Sequence, residues 1–207
     1  MDGIVVVDKP AGMTSHDVVA VVRRRLGERR VGHAGTLDPD ATGVLVLGVG
    51  RATRLLRFIE GGEKEYIADV VLGVETTTQD ASGQPVAEHD ASALTGADVE
   101  RAATALTGEI SQTPPMVSAV KVGGERLYRK ARRGEVVERP ARKVTVHELR
   151  LDAFEPSVRA AAKLTIRCSP GTYVRTLAHD LGMALGVGGH VATLRRTRVG
   201  RFDAAEA

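Results

Sequence analysis

From Ala162 to Ser169 the chain alternates without a break. Ala162, Leu164, Ile166 and Cys168 are apolar, and Lys163, Thr165, Arg167 and Ser169 stand between them. Only a β-strand with one buried and one wetted face has that period, so a sheet must lie at the centre of the fold. Pro170-Gly171 ends the strand, and Leu177, Leu181 and Leu185 fall on one face of a helix that Thr176 can cap. Short apolar runs at Ile4 to Val7 and Val44 to Leu47 read as strands buried on both faces, and Tyr66 to Leu72 reads as a further strand. Val144, Val146, Leu149 and Leu151 predict another strand with one break in its alternation. Two more helices are expected. One, capped by Thr14 or Ser15, carries Val18, Val19, Val22 and Leu26 and stops at Gly27; the other opens at Thr95 and Asp98 and stops at Gly108. Strands and helices do not alternate regularly, so the expected class is α+β with a mixed, largely antiparallel sheet flanked by helices.

With 207 residues the chain is long enough for one sizeable core. No apolar run approaches the roughly 20 residues of a membrane span. The first residues lack the basic and apolar regions of a secretory signal, and the single cysteine, Cys168, excludes an internal disulfide. These features point to a cytoplasmic protein without membrane attachment.

The net charge of +3 is unevenly spread. Residues 1–59 carry 9 basic and 6 acidic side chains, residues 60–110 carry 2 and 11, and residues 111–207 carry 18 and 9. A basic C-terminal half is the electrostatic footprint of a polyanionic partner, although an arginine-rich composition with no such role would give the same count. Residues 111–135 break the sheet pattern. Thr113-Pro114-Pro115 cannot sit in a central strand, and Lys121, Arg126, Arg129, Lys130, Arg132 and Arg133 follow against Glu125 alone. The expectation is a loop leading to a short basic helix, with a solvated helix face as the alternative.

Several chemistries find no support. None of the six histidines pairs at HxxxH spacing, one cysteine cannot build a thiolate site, and no phosphate-binding Walker loop is present. Gly48-Val49-Gly50 follows a strand, but Thr53 replaces the third glycine of a dinucleotide fingerprint. No metal and no cofactor are expected. Three segments could carry chemistry. The stretch Gly32 to Gly43, containing Gly35-Thr36-Leu37-Asp38-Pro39-Asp40, holds a carboxylate in a glycine-rich loop before a buried strand. The stretch Cys168 to Leu177 places Arg175 near a helix start, where the macrodipole gives a cation no help and an anionic partner is expected. Lys64-Glu65-Tyr66 opens a strand. Taken singly, the first also fits an ordinary Asp-Pro turn and the last an ordinary core tyrosine.

Together these segments resemble the successive signatures of the bacterial tRNA pseudouridine-55 synthase, or TruB-type, family. So do Asp8-Lys9-Pro10-Ala11-Gly12-Met13-Thr14-Ser15-His16-Asp17, the run Thr113 to Lys121, which is similar to an RNA-gripping insertion, and His190 to Arg196. The matches cover nearly the whole chain in the same order. The resemblance implies the fold of the pseudouridine synthase catalytic domain over residues 1–207, with the insertion at about 111–135 and without the family's small C-terminal RNA-binding domain. It implies isomerisation of one uridine in the T-arm of tRNA without cofactor, with residues 111–135 as a mobile thumb that closes on RNA; a monomer is expected separately. Asp38 matches the catalytic aspartate, Tyr66 the tyrosine stacking on the target base, and Arg175 the arginine paired with the aspartate. Tyr173 and Leu194 match residues lining the uridine pocket, His33 one that fills the space the uridine leaves, and Lys9 and Pro10 a supporting segment.

The reaction breaks N1–C1′, turns the uracil and joins C5 to C1′, so nothing is gained or lost. One carboxylate at C1′ could stabilise or trap the developing oxocarbenium charge, or could start abstraction of a proton at C2′; the residues suit either route. The base must be flipped out of folded RNA at a cost of a few kcal/mol, which phosphate contacts can offset. Other readings are a catalytically inactive RNA-binding module of the same fold, a synthase acting on ribosomal RNA or guided by another RNA, and a small-molecule glycoside enzyme. The last would need a second carboxylate near Asp38, for which Asp40 is the candidate.

Overall fold

The computed structural model describes residues 1–118, 121–122, 124–127, 130, 133–135 and 137–207. The chain divides into two compact units. The first comprises Met1–Ile67, Ile166–Pro170 and Thr193–Ala207, and the second Ala68–Thr165 and Gly171–Ala192.

In the first unit, β1 (Gly3–Lys9), β2 (Val31–Ala34) and β3 (Thr42–Val49) form an antiparallel group with β3 in the centre. The run in β3 is apolar throughout because both of its faces are covered. Leu45, Leu47 and Val49 pack with Val18 and Val19 of α1 (Ser15–Leu26), while Val44 and Val46 pack with Leu56 of α2 (Leu56–Glu60). Helix α1 keeps the expected bounds. Thr14 Oγ1 accepts from the Asp17 N–H at 3.1 Å and the Asp17 carboxylate accepts from the Thr14 N–H at 2.8 Å, a capping box. Gly27, at φ 60°, closes the helix in the left-handed region.

Three strands run through both units: β4 (Lys64–Leu72), β11 (Ala161–Cys168) and β12 (Gly189–Val199). The last is an 11-residue strand that periodicity does not reveal, because its sequence is mostly polar. It pairs in parallel with β3 at Thr42↔Arg195 and Gly43↔Arg196. Gly43 makes that approach possible: at φ +101°, a Cβ there would lie 2.1 Å from the Arg196 carbonyl oxygen. Next to Val199, β13 (Phe202–Asp203) closes a hairpin.

In the second unit, β5 (Val74–Thr76) pairs with β6 (Pro85–Glu88), and β7 (Gly108–Gln112) pairs with β10 (Arg142–Glu155), both antiparallel. The predicted break in β10 is present, the buried side chains changing parity between Val146 and Leu149. Helix α3 (Gly96–Ala105), capped by Thr95 with Asp98, lies on β10. Gly108 is not its stop; the helix ends sooner, and Gly108 opens β7 at φ 101°. Helix α4 (Val174–Ala184) starts earlier than expected. Tyr173 is its N-cap residue, and Thr176 is a buried residue of the helix whose hydroxyl donates to Gln79 Oε1 at 3.0 Å. Sheet pairing stops at Gln112, before Pro114-Pro115, as proline requires.

Beyond the prolines, β8 (Lys121–Val122) and β9 (Glu125–Arg126) form a short hairpin, where a loop was expected. Most of the expected thumb helix, with Arg129 and Arg132, lies outside the described residues, as do the side chains of Lys121 and Arg126. The charge reading needs one correction. Glu125 is not the only acid present, because Glu135 joins it. Arg133 Nη1 and Nη2 donate to the two Glu125 carboxylate oxygens at 2.7 and 2.8 Å, and Nε donates to Glu135 at 2.7 Å. These carboxylates hold the Arg133 guanidinium even more firmly protonated than usual.

Candidate active site

The site of the first unit is assembled around the loop from Gly35 to Ala41. Asp38, half-buried, sits between two gripped neighbours. On one side, the buried Ser15 hydroxyl accepts from the Leu37 N–H at 2.9 Å and lies 3.2 Å from the Leu37 carbonyl oxygen, to which it donates. On the other, the Pro39 carbonyl accepts from Lys9 Nζ at 2.9 Å and from the Gly12 N–H at 3.0 Å. The Asp38 carbonyl itself accepts from the Ala41 N–H at 3.2 Å, closing a turn. A carboxylate whose flanking peptides are both fixed loses little freedom on meeting a substrate, which is how a site holds a reacting group in place.

Lys9 is 0% exposed and uses all three ammonium hydrogens on carbonyls, those of Pro10 at 2.8 Å, Met13 at 2.7 Å and Pro39. Burial pushes its pKa below the usual lysine value, opposed by the charges of Asp40 and Asp38. Pro10 and Asp40 are exposed.

Tyr66, 8% exposed, occupies a buried position on β4, on the same face as Lys64. Burial raises its phenol pKa, opposed by the nearby charge of Arg196. Asp38 contributes to the field at this phenol as well. Arg196 is the residue that sequence reasoning left without a role. It is 1% exposed, and donates from Nε to the Val44 carbonyl at 2.8 Å, from Nη2 to Gly35 at 3.3 Å and from Nη1 to Thr36 at 3.5 Å. The doublet Arg195-Arg196 in a strand was the available signal, because adjacent side chains of a strand point to opposite faces and one of the two arginines must point inward. Its neighbour Arg195 makes the outward choice, holding Asp8 at 2.7 and 3.0 Å.

His33 in β2 stands edge-on to His16, with ring centroids 5.3 Å apart and planes at 74°. Burial and the neighbouring His16 lower its pKa, which favours a neutral ring able to stack. Among the described residues, its Nδ1 has no hydrogen-bond partner. Leu194 is a half-buried residue of β12.

In the second unit, Arg175 occupies the second position of α4 and is 4% exposed. Nη1 donates to the Thr78 carbonyl at 2.9 Å, Nη2 to the Val117 carbonyl at 2.8 Å, and Asp80 lies 3.2 Å from Nη1. An anionic partner for this arginine is thus present locally, on the loop following β5. Tyr173 is half-buried, and its backbone is gripped at two points by the buried Gln112. The amide of Gln112 donates to the Tyr173 carbonyl at 3.1 Å and accepts from the Tyr173 N–H at 3.0 Å. Gln112 was missed because a lone glutamine at a strand end carries no pattern. Among the described residues, no group of three or more His, Cys, Asp or Glu stands together as a metal site, and no helix is long and apolar enough to cross a membrane.

Comparison with known proteins agrees with this fold. Residues 23–174 match the N-terminal domain model of the TruB family pseudouridylate synthases, and residues 175–207 match the model of the tRNA pseudouridylate synthase B C-terminal domain. Proteins named tRNA pseudouridine synthase B from Symbiobacterium thermophilum and Thermobifida fusca are each 56% identical across 100% of this chain, which spans 69% and 72% of their lengths. Among solved structures, a Cbf5-Nop10-Gar1 complex matches 97% of the chain at 32% identity with a TM-score of 0.72. An H/ACA RNP bound to a substrate RNA containing 2′-deoxyuridine matches 97% at 28% identity and 0.71. The chain spans 50% and 48% of those two matched chains. The chain belongs to the TruB family of pseudouridylate synthases, enzymes that isomerise uridine to pseudouridine in RNA.

Proposed function

We propose that this protein converts uridine 55 in the T-arm of tRNA to pseudouridine in the cytoplasm, as a monomer, with Asp38 as the nucleophile. The observation that carries the reading is the Asp38 loop, where one carboxylate is held between peptides fixed by Ser15, Lys9 and Gly12. The relatives at 56% identity are named for tRNA, which favours a free tRNA substrate over a guided one.

In this reading the target uridine is flipped from the T-arm and stacks on Tyr66, with Tyr173 and Leu194 lining its pocket and His33 filling the space it leaves. Asp38 acts at the sugar as N1–C1′ breaks; the uracil turns, C5 joins C1′, and the C5 proton is lost while N1 regains one. Arg175, as the family resemblance implies, keeps the carboxylate ionised, since a permanent cation favours the charged form over the neutral one. Lys121, Arg126, Arg129, Lys130, Arg132 and Arg133 contribute phosphate contacts, Arg133 least, because Glu125 and Glu135 already hold it. Residues 1–207 form the catalytic domain, with residues 111–135 as its insertion. No cofactor enters the chemistry.

The test is incubation with unmodified tRNA, without any guide RNA, followed by chemical mapping of pseudouridine. Wild-type protein should modify the T-arm position alone, and Asp38→Ala should bind tRNA within several-fold of wild type yet form no product. Turnover by Asp38→Ala above a few per cent of wild type, or modification only when a guide is added, would refute the assignment.

A further inference from the structure

Arg196 presents a physical problem that the proposed chemistry does not use. An arginine cannot shed its proton in a protein interior, and at 1% exposure its charge is removed from water. Burying a cation is costly, and an apolar side chain of similar volume in such a place is often neutral or stabilising. The neighbours compensate with dipoles. Three backbone carbonyls accept from it, at 2.8, 3.3 and 3.5 Å, and its charge lies near the Tyr66 phenol.

The identity of those acceptors matters more than their number. Gly35 and Thr36 lie three and two residues before Asp38, and Val44 is in the strand that the loop enters. One rigid, planar guanidinium therefore ties the approach to Asp38 and the exit from its loop to a single point, beside Tyr66. Arginine alone has this fork geometry; a lysine carries the same charge on one nitrogen and cannot replace three separate donors, Nε, Nη1 and Nη2, each on its own carbonyl. Strand β12 brings Arg196 here because Gly43 lacks the Cβ that would meet the Arg196 backbone.

We propose that Arg196 is a positioning residue for the isomerisation, fixing the Asp38 loop in place beside the Tyr66 ring. The inference rests on the proposed function, since its readout is the rate of uridine isomerisation. The guanidinium touches no reacting atom. It acts through the backbone of residues 35–36, beside Tyr66, so its loss should leave RNA docking intact and slow the step that follows.

The experiment compares wild type, Arg196→Met and Arg196→Lys in single-turnover pseudouridine formation and in tRNA binding by filter retention. Both variants are also prepared with 13Cζ-labelled tyrosine for NMR. Arg196→Met keeps the length but loses charge and fork, and should slow single turnover by about 100-fold, the scale of a misplacement near 1 Å, with the tRNA Kd within about threefold. Arg196→Lys should recover part of the charge effect but remain at least about tenfold slow. The Tyr66 13Cζ resonance, assigned with Tyr66→Phe, should move in both variants while that of Tyr173 stays. Rates within threefold of wild type in either folded variant would overturn the proposal, as would an unmoved Tyr66 resonance or a loss confined to tRNA affinity. Should Arg196→Met fail to fold, Arg196→Lys decides by the same criteria. Failure of the wild type on tRNA would count against the proposed function instead, and the NMR comparison would still report whether Arg196 affects the surroundings of Tyr66.

Discussion

Replacing Lys9 by Met removes an ammonium while keeping most of the volume that fills its site. The side chain is fully buried, and its three hydrogen bonds of 2.7–2.9 Å all end on carbonyls. Hydrogen bonds to a charged group contribute about 1.5–3 kcal/mol each. The desolvation of an ammonium, several kcal/mol in real proteins, opposes their sum, and the depressed pKa of Lys9 shows that opposition directly. The carbonyls of the exposed Pro10 and Pro39 can recover some water, whereas the half-buried Met13 recovers less. The net loss should be about 3 kcal/mol, roughly 6–12 °C in Tm for a chain of this length. Pro39 would keep only its bond from Gly12, leaving the peptide after Asp38 less fixed. Thermal unfolding followed by circular dichroism, with single-turnover pseudouridine formation at a temperature where both proteins are folded, measures the two effects. A Tm within about 2 °C of wild type would refute the reasoning, because the three bonds would then have no net weight. A destabilised variant with an unchanged single-turnover rate would separate Lys9 from the positioning of Asp38.

Gln112→Leu should cost about 1–3 kcal/mol, since it removes the Gln112 bond from the Tyr173 N–H and leaves the Tyr173 carbonyl its bond from the Leu177 N–H; a urea midpoint unchanged from wild type would contradict this. His179 lies 3.5 Å from Asp180 and 3.5 Å from Glu75, and those carboxylates, Asp180 foremost, raise its pKa above the ordinary 6.5. A raised folded pKa adds stability that is fully present below about 6.5 and is lost as pH rises through the folded value. His179→Gln should therefore lower stability at pH 5.5 and match wild type at pH 9, and an equal loss at both pH values would remove the ion pairs from the account.

Much of the framework follows from local pattern. The alternation at Ala162–Cys168, the double-faced apolar run of β3 and the capped helix α1 each follow from a period or a cap that a few neighbouring residues carry. The break in β10 could be located because a strand that changes face must break its alternation. The ordered signature segments identified the family, and with it the residues to watch, from residue types alone. Strand β12 escaped because it combines arginines and threonines with few apolar residues, and its pairing rather than its composition makes it a strand. The start of α4 was misplaced for a similar reason. Thr176 has the side chain of a cap, but it donates to Gln79, nearly a hundred residues earlier in the chain, while Tyr173 caps without a side-chain bond.

The sequence by itself determined which groups are available: one loop carboxylate, one strand tyrosine, and an arginine at a helix start. Only the tertiary structure decided what each of them leans on. Lys9 reaches Pro39 across 30 positions, Ser15 brackets Leu37 across 22, and Arg196 reaches Gly35 across 161. Periodicity and capping depend on neighbours within a turn or a strand, so sequence displays them. A buried ammonium or guanidinium finds its partners wherever the packed chain brings carbonyls that water cannot reach, and that depends on the whole fold.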